Sequence, residues 1–353
     1  MRIVSSRTKR RQFSIALSAI GLSLVFVFLV GEMASRFFFP DTQLRYVSDP
    51  EALFFYEPNQ NGTLELSDGV TKIPVQVNQL GFRGGPIHAD GRKILVLGDS
   101  FTFGWGVQDH ETFSAKLGEW FSEEVTVING GQPGYGIFQM GATLKRVGEA
   151  LRPDLVILVI WQGDLLRQPL EGDERVGFFK RQRISRILKH SVFVTHVYRS
   201  FEKLFLIWGL DSFAFSVGEG GRGNTTADPE VIRDQYRRGW SADRPRILKM
   251  QEEARRYGKG LLLVLWPKED FASIAEEGLA GTLTETIQGF SANHGMPFVS
   301  VQSAMRSVSP KSLLMVPRDL HPSVLAHCLA AEVLALKLQV LGVVKPRQVT
   351  CTS

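Results

Sequence analysis

Cysteine is nearly absent from this 353-residue chain: only Cys328 and Cys351 occur, with no CxxC pair. That scarcity excludes a disulfide-stapled scaffold and a cysteine-rich zinc module. The pair leaves two readings, one Cys328–Cys351 bridge in an oxidising compartment or two free thiols, and free thiols are the expectation. Metal-ligand spacing is missing too. His88, His110, His190, His196, His294 and His327 are scattered, so no metal site is expected. Charge is missing from two places. The first twelve residues hold no acid, and Phe13 to Val30 holds no charge at all. Of the 41 Lys and Arg residues, Arg2, Arg7, Lys9, Arg10 and Arg11 lie in that first stretch; removing these five leaves 36, equal to the 36 Asp and Glu. A balanced body lacks the sustained basic face of a nucleic-acid binder, so no nucleic-acid partner is expected. With 44% hydrophobic and 22% charged residues, wholesale disorder is excluded as well.

The apolar run is the first feature present rather than absent. Its 18 residues, Phe13 to Val30, would span about 27 Å as a helix, enough for a bilayer core. Cations precede it, so the positive-inside rule keeps residues 1–12 in the cytoplasm and sends the chain beyond residue 31 outside. The expected organisation is a cytoplasmic basic tail (1–12) and a single-pass signal anchor (13–31) in the inner or plasma membrane, with the rest periplasmic. A cleaved signal peptide is the competing reading. It is disfavoured because Glu32 stands two residues before Ala34, where a small residue is needed.

Residues 32–92 read as a lead-in. Gly62 to Leu66 and Lys72 to Val77 alternate weakly around Ser67-Asp68-Gly69, which predicts a hairpin. From residue 93 the pattern becomes α/β. Short apolar runs at Ile94 to Leu97, Val125 to Ile128, Leu155 to Trp161 and Leu261 to Trp266, with a weak one at Pro297 to Val301, read as buried strands. Helical patterns between them predict a parallel sheet covered on both sides. Asp109 is expected to cap a helix presenting Phe113, Leu117, Trp120 and Phe121. Gln139 to Leu151 and Arg246 to Tyr257 are further helices. In the last helix, capped by Ser323 and ended by Gly342, Leu325, Leu329, Val333, Leu336 and Val340 form the expected buried face. The α/β domain is assigned to 93–345, with a helical insertion at 165–245. Lys180 to Lys203 carries seven cations and one acid. Val197, Tyr198, Phe201, Leu204, Phe205 and Trp208 then repeat at helical spacing. This segment reads either as a helix packed on its own domain or as a surface lying on anionic lipid.

The chemistry concentrates at two places. Ile94 to Ser100 puts a serine just past the C-terminal end of the first core strand, where ligands of open α/β sheets bind, with Gly98 permitting a tight turn. A serine nucleophile needs a base, and the base needs an orienting group. Asp319-Leu320-His321-Pro322 supplies both. In an extended stretch the two side chains point to one side, and Pro322 biases His321 towards that geometry. Asp99 is read as structural, fixing the turn.

Gly98-Asp99-Ser100, a glycine block after the second strand, a block after the third, and Asp319-x-His321-Pro322 occur in that order. Together they resemble the SGNH/GDSL hydrolase family, as a membrane-anchored bacterial-type member. The resemblance covers about 93–342. It implies a flavodoxin-like three-layer α/β/α sandwich with a parallel sheet. It also implies hydrolysis of acyl esters through an acyl-serine intermediate, with Ser100, His321 and Asp319 catalytic and no cofactor. By position in Asn129 to Gly136, Gly134 matches the glycine whose amide joins that of Ser100 in the oxyanion hole. The third block departs from the family's Gly-x-Asn-Asp. It reads Trp161-Gln162-Gly163-Asp164, with glycine where the asparagine donor belongs. Either Gln162 donates instead, or the Gly163 amide does, or the chemistry is slowed, altered or lost. Phe103, Trp105 and Tyr135 are candidate walls of a substrate pocket. Arg83, in a stretch resembling one that precedes this domain in anchored relatives, either contacts substrate or forms a structural salt bridge. Three functions stay open: an esterase acting on acyl or acetyl esters, including those of cell-envelope carbohydrate; a polysaccharide O-acetyltransferase with the same triad; and a non-catalytic envelope binding or assembly protein.

Overall fold

The computed structural model describes residues 2–38, 43–66, 71–88, 90–121, 125–171, 174–175, 177–179, 191–194, 197, 229–266, 274–306, 308–315, 319, 321–345 and 351. The chain divides into two compact units, Met1–Thr42 with Glu171–Val217, and Gln43–Leu170 with Gly218–Ser353.

The first unit is built on α1 (Arg2–Phe38). Its stretch Arg10–Phe38 is long and apolar enough to cross a membrane, and its most apolar window has no buried residue. A soluble core helix would bury that surface. At its end the Glu32 carboxylate accepts from the Ser191 hydroxyl (2.6 Å), the amides of Val192 (3.2 Å) and Phe193 (3.1 Å), and Arg36 Nε (2.7 Å). Glu32 thereby satisfies the free amides that open the helical turn at 192–194. Most of the basic and amphipathic stretch 180–208, and the glycine-rich segment 218–228 whose composition predicts a flexible loop, lie outside the described residues.

The second unit opens with two hairpins. β1 (Tyr46–Asp49) pairs antiparallel with β2 (Leu53–Tyr56), a hairpin the sequence pattern does not announce. β3 (Gln60–Glu65) pairs with β4 (Lys72–Val77), whose side chains alternate strictly between exposed and buried. Leu64, Leu66, Ile73, Val75, Val77 and Tyr56 close a small core on Phe103. The lead-in is therefore bound to the segment that follows Ser100.

β5 (Arg92–Leu97), β6 (Val125–Asn129), β7 (Leu155–Trp161), β8 (Leu261–Trp266) and β9 (Phe298–Ser300) form one parallel sheet in the order β6-β5-β7-β8-β9. The order reverses between β5 and β7, which opens a crevice at their C-terminal ends. Alternate residues feed two cores. Leu95, Leu97, Val156, Leu158, Leu261 and Leu263 face one side, under α4 (Ile137–Leu151), α5 (Pro229–Tyr257) and α6 (Ile274–Asn293). Ile94, Val96, Ile157, Val159, Leu262 and Val264 face the other, under α3 (Phe113–Trp120) and α7 (Val324–Val340). The short α2 (Ser100–Phe103) begins directly after β5. This is the three-layer α/β/α sandwich that the alternation predicts.

Several local expectations are corrected. Thr112, not Asp109, caps α3, its hydroxyl accepting the Ala115 amide; Asp109 opens a separate 3₁₀ turn. α7 keeps its Ser323 cap but only part of its expected face: Leu329 and Val333 pack against the core from its edge. Ala326, His327, Ala330, Ala331, Leu334, Ala335 and Leu338 are buried, whereas Leu336 and Val340 are 57% and 82% exposed. The alanines let the helix lie close on the sheet, so packing follows the small residues rather than the largest ones. Residues 229–245 form the first part of α5, which continues through Pro245 in the same unit as the sheet. The two cysteines are not free. Cys328 on α7 is bridged to Cys351, which returns the C-terminal tail to the helix, where the Cys351 amide donates to Glu332.

Candidate active site

Asp99 sets the direction of the chain as it leaves β5. Its Oδ1 accepts the Phe101 amide (2.9 Å), capping α2, whose last turn is closed by Gly104 in the left-handed region (φ 82°). Ser100 is thereby fixed at the first position of the helix, with its amide among those that have no intrahelical acceptor. Buried Arg83 holds the far end. It ion-pairs with Asp109 through Nε (2.6 Å) and donates to the carbonyls of Phe103 (3.1 Å), Gly104 (2.5 Å) and Val107 (2.6 Å). Of the two roles the sequence leaves open for Arg83, the geometry supports the structural one: it fastens the loop behind Ser100.

His321 reaches the same crevice on a clamped loop. Met315 N–H donates to the His321 carbonyl (3.1 Å), and Ser323 N–H donates to that of Leu313 (2.9 Å). The Ser323 hydroxyl also donates to the Ser312 carbonyl (2.6 Å). The loop presents both side chains to one another. His321 Nδ1 lies 2.5 Å from Asp319 Oδ1, and His321 Nε2 lies 2.9 Å from Ser100 Oγ. With the Nδ1 proton donated to the carboxylate, Nε2 is left as the acceptor for the Ser100 hydroxyl. Asp319 also accepts the His321 amide (3.1 Å), which restrains the ring further. Phe101 packs edge-on to the imidazole (centroids 5.7 Å) and Trp105 lies tilted against it (5.9 Å).

The glycine block forms a turn from Gln132 to Tyr135, with Gly134 at φ 80° and open space where a side chain would stand. Among the described residues, neither the Ser100 amide nor the Gly134 amide has an acceptor. Tyr135 and Phe103 are not pocket walls. Tyr135 is 1% exposed with its hydroxyl donating to the Phe54 carbonyl, and Phe103 is fully buried in the lead-in core. Trp105 is the aromatic residue of those three that stands at the site.

The third block has a steric explanation. A Cβ on Gly163 would lie 1.8 Å from Cζ3 of Trp161, 2.3 Å from Cη2 and 2.4 Å from Cε3. The Trp161 ring fills the space that an asparagine stem would need. The ring is held there by stacking on Phe101 (5.3 Å) and by the Arg167 guanidinium (5.2 Å from its centroid). Gln162 is buried at the start of the following 3₁₀ turn, while the Ser100 side chain is bonded to His321 and, weakly, to Asp99. Asp164 is fully buried and accepts the Trp161 amide (2.9 Å). Burial and the nearby Asp99 carboxylate push its pKa well above the usual carboxylate range, against the pull of Arg167.

Arg167 is the residue that sequence reading missed. A single nitrogen, Nη1, shares its two N–H groups among Asp99 Oδ2 (3.0 Å), Asp164 Oδ1 (2.8 Å) and the Tyr135 carbonyl (2.8 Å). The available signal was an Asp-x-x-Arg spacing within one turn, which by itself reads as an ordinary surface pair.

No family model and no curated protein matches the chain. Solved structures do align with it. One is LAE5, an α/β hydrolase enzyme from the metagenome of Lake Arreo, at 16% identity over 73% of this chain and 98% of that one, with a TM-score of 0.39. A second is a catalytic mutant of Axe2, an acetylxylan esterase from Geobacillus stearothermophilus, at 17% identity over 71% and 95%, with a TM-score of 0.41. A third is a member of the lipolytic protein G-D-S-L family from Veillonella parvula, at 11% identity over 71% and 98%, with a TM-score of 0.39. At these values the likeness decides neither fold nor activity, and both rest on the geometry of this chain.

Proposed function

We propose that this protein is a membrane-anchored serine esterase of the SGNH/GDSL type. The observation that carries the reading is the continuous hydrogen-bonded chain Ser100–His321–Asp319 at the sheet's switch point, beside two amides without an acceptor among the described residues. Ser100 Oγ attacks the ester carbonyl while His321 Nε2 takes its proton. The Ser100 and Gly134 amides receive the developing oxyanion, each worth about 2.7–4 kcal/mol on the scale of known oxyanion donors. His321 then protonates the leaving alcohol. Water, deprotonated by the same imidazole, releases the acid and restores Ser100. Asp319 holds the imidazole's tautomer and stabilises the imidazolium without itself being protonated. Trp105 borders the acyl or alcohol side of the substrate.

The cations before Phe13 support a cytoplasmic N-terminus and an extracytoplasmic domain. The Cys328–Cys351 bridge supports the same placement, because disulfides persist in oxidising compartments. An external esterase on the membrane would meet acyl esters of cell-envelope carbohydrate.

The test is p-nitrophenyl acetate hydrolysis by the full-length chain in detergent, wild type beside Ser100→Ala. Turnover abolished by the substitution is expected. Equal rates in the two would remove the serine mechanism. Fluorophosphonate labelling of Ser100 without release to water would redirect the reading to transfer onto a sugar hydroxyl.

A further inference from the structure

Three loops carry the proposed chemistry: the β5 end with Asp99 and Ser100, the glycine turn with Gly134 and Tyr135, and the β7 end with Gly163 and Asp164. They follow different strands; the β5 and β7 ladders reach Leu97 and Leu158, and Gln132 N–H joins the glycine turn to the Gly98 carbonyl (3.1 Å). One side-chain nitrogen touches all of them. Arg167 Nη1 lies 3.0 Å from Asp99 Oδ2, 2.8 Å from the Tyr135 carbonyl and 2.8 Å from Asp164 Oδ1. The arrangement is built rather than incidental. Asp99 and Asp164 are 2% and 0% exposed in the side chain and Arg167 19%. The Arg167 backbone is also packed against the turn, its carbonyl 2.5 Å from where a Cβ on Gly136 would stand.

We propose that Arg167 is a positioning residue that locks the Ser100 and Gly134 amides into one oxyanion geometry, compensating for the side-chain donor absent at Gly163. The proposal rests on the esterase reading and assigns a new element of its machinery. On one side Arg167 holds Asp99, and the other oxygen of that carboxylate caps the turn that aims the Ser100 amide. On the other it holds the carbonyl of Tyr135, the residue whose N–H closes the turn on the Gln132 carbonyl (3.2 Å) and so aims the Gly134 amide. Two donors must then do what three commonly do, so their relative placement matters more. A misplacement of about 1 Å can lower a rate by about 100-fold.

A lysine ammonium has three N–H donors for these three acceptors, although on a shorter stem, so Arg167→Lys should restore part of what Arg167→Gln loses. The experiment measures kcat and KM for p-nitrophenyl acetate and the rate of fluorophosphonate labelling of Ser100. It uses the full-length chain in detergent, with a thermal melt on each variant. Because Arg167→Gln leaves two buried carboxylates without their cation, the double variant Arg167→Gln/Asp164→Asn is measured beside it. For folded Arg167→Gln or the double variant, kcat and labelling rate are expected to fall about 30- to 100-fold with KM within about threefold of wild type, and Arg167→Lys to recover about tenfold. A folded variant lacking Arg167 with kcat within about twofold of wild type would overturn the proposal and leave the esterase reading intact. A wild type indistinguishable from Ser100→Ala in both assays would overturn the esterase reading itself, and this proposal with it.

Discussion

Gly163 offers the sharpest quantitative test of the site's construction. The virtual Cβ lies 1.8–2.4 Å from three atoms of the Trp161 ring, whereas carbon atoms in contact sit about 3.5–4.0 Å apart. In Gly163→Ala the ring must therefore retreat by roughly 1.5 Å. It is stacked on Phe101 and covered by Arg167, so it cannot move alone. Overpacking of this kind costs about 1–3 kcal/mol. At about 2–4 °C per kcal/mol for a domain of this size, the melting midpoint should fall by roughly 2–12 °C. Because Phe101 also packs on His321, turnover should fall further than the loss of folded protein explains. Gly163→Asn should be worse than Gly163→Ala, even though asparagine is the donor that the sequence resemblance implies at this position. In the pair Trp161→Ala/Gly163→Asn the obstruction is gone, and the two destabilisations should sum to more than the double variant shows. Differential scanning fluorimetry and p-nitrophenyl acetate turnover on wild type, Trp161→Ala, Gly163→Asn and the double variant complete the cycle, with Gly163→Ala measured beside them. A Gly163→Ala melt within 1 °C of wild type, or strictly additive effects, would refute the claim that Trp161 occupies this space.

Three further outcomes follow from the packing. Leu334→Ala, at a fully buried position, should cost about 2–5 kcal/mol, while Leu336→Ala at the exposed position should stay within about 0.5 kcal/mol, as urea unfolding would report. His327 is fully buried between Phe113 and Trp266. Burial first, and then the charges of Arg83, His321 and Lys116, lower its pKa to about 3. The native state therefore binds fewer protons than the unfolded one between about pH 6.5 and pH 3. This contribution is complete above pH 6.5 and is lost at about 1.4 kcal/mol per unit as pH falls through that window. His327→Leu should melt with a shallower acid dependence than wild type; parallel slopes for the two would refute this. Reduction of Cys328–Cys351 should expose two titratable thiols and lower stability by about 3 kcal/mol for a loop of this length, measured by melts with and without reductant.

The order of apolar runs and helical stretches along this chain determined the layer architecture, because a strand buried on both faces has to read as a continuous apolar segment. The proposed nucleophile and its base pair were legible for a related reason: Gly-Asp-Ser after a strand and Asp-x-His-Pro before a helix are short, local patterns. The long apolar helix was legible because no charge interrupts Phe13 to Val30. What the sequence could not decide were matters of distance between segments remote in the chain. Leucine spacing pointed to one face of α7, but the sheet accepted the alanine face, since depth of approach is set by the partner surface. The cysteines are 23 residues apart, and only the return of the tail to α7 made them neighbours. The sequence shows a donor missing at Gly163 but not the Trp161 ring in its space, and nothing local marks Arg167, whose guanidinium three remote loops share. Periodicity and local motifs reside in one segment and can be read there. Steric exclusion and shared charge arise between segments, and tertiary structure alone brings those together.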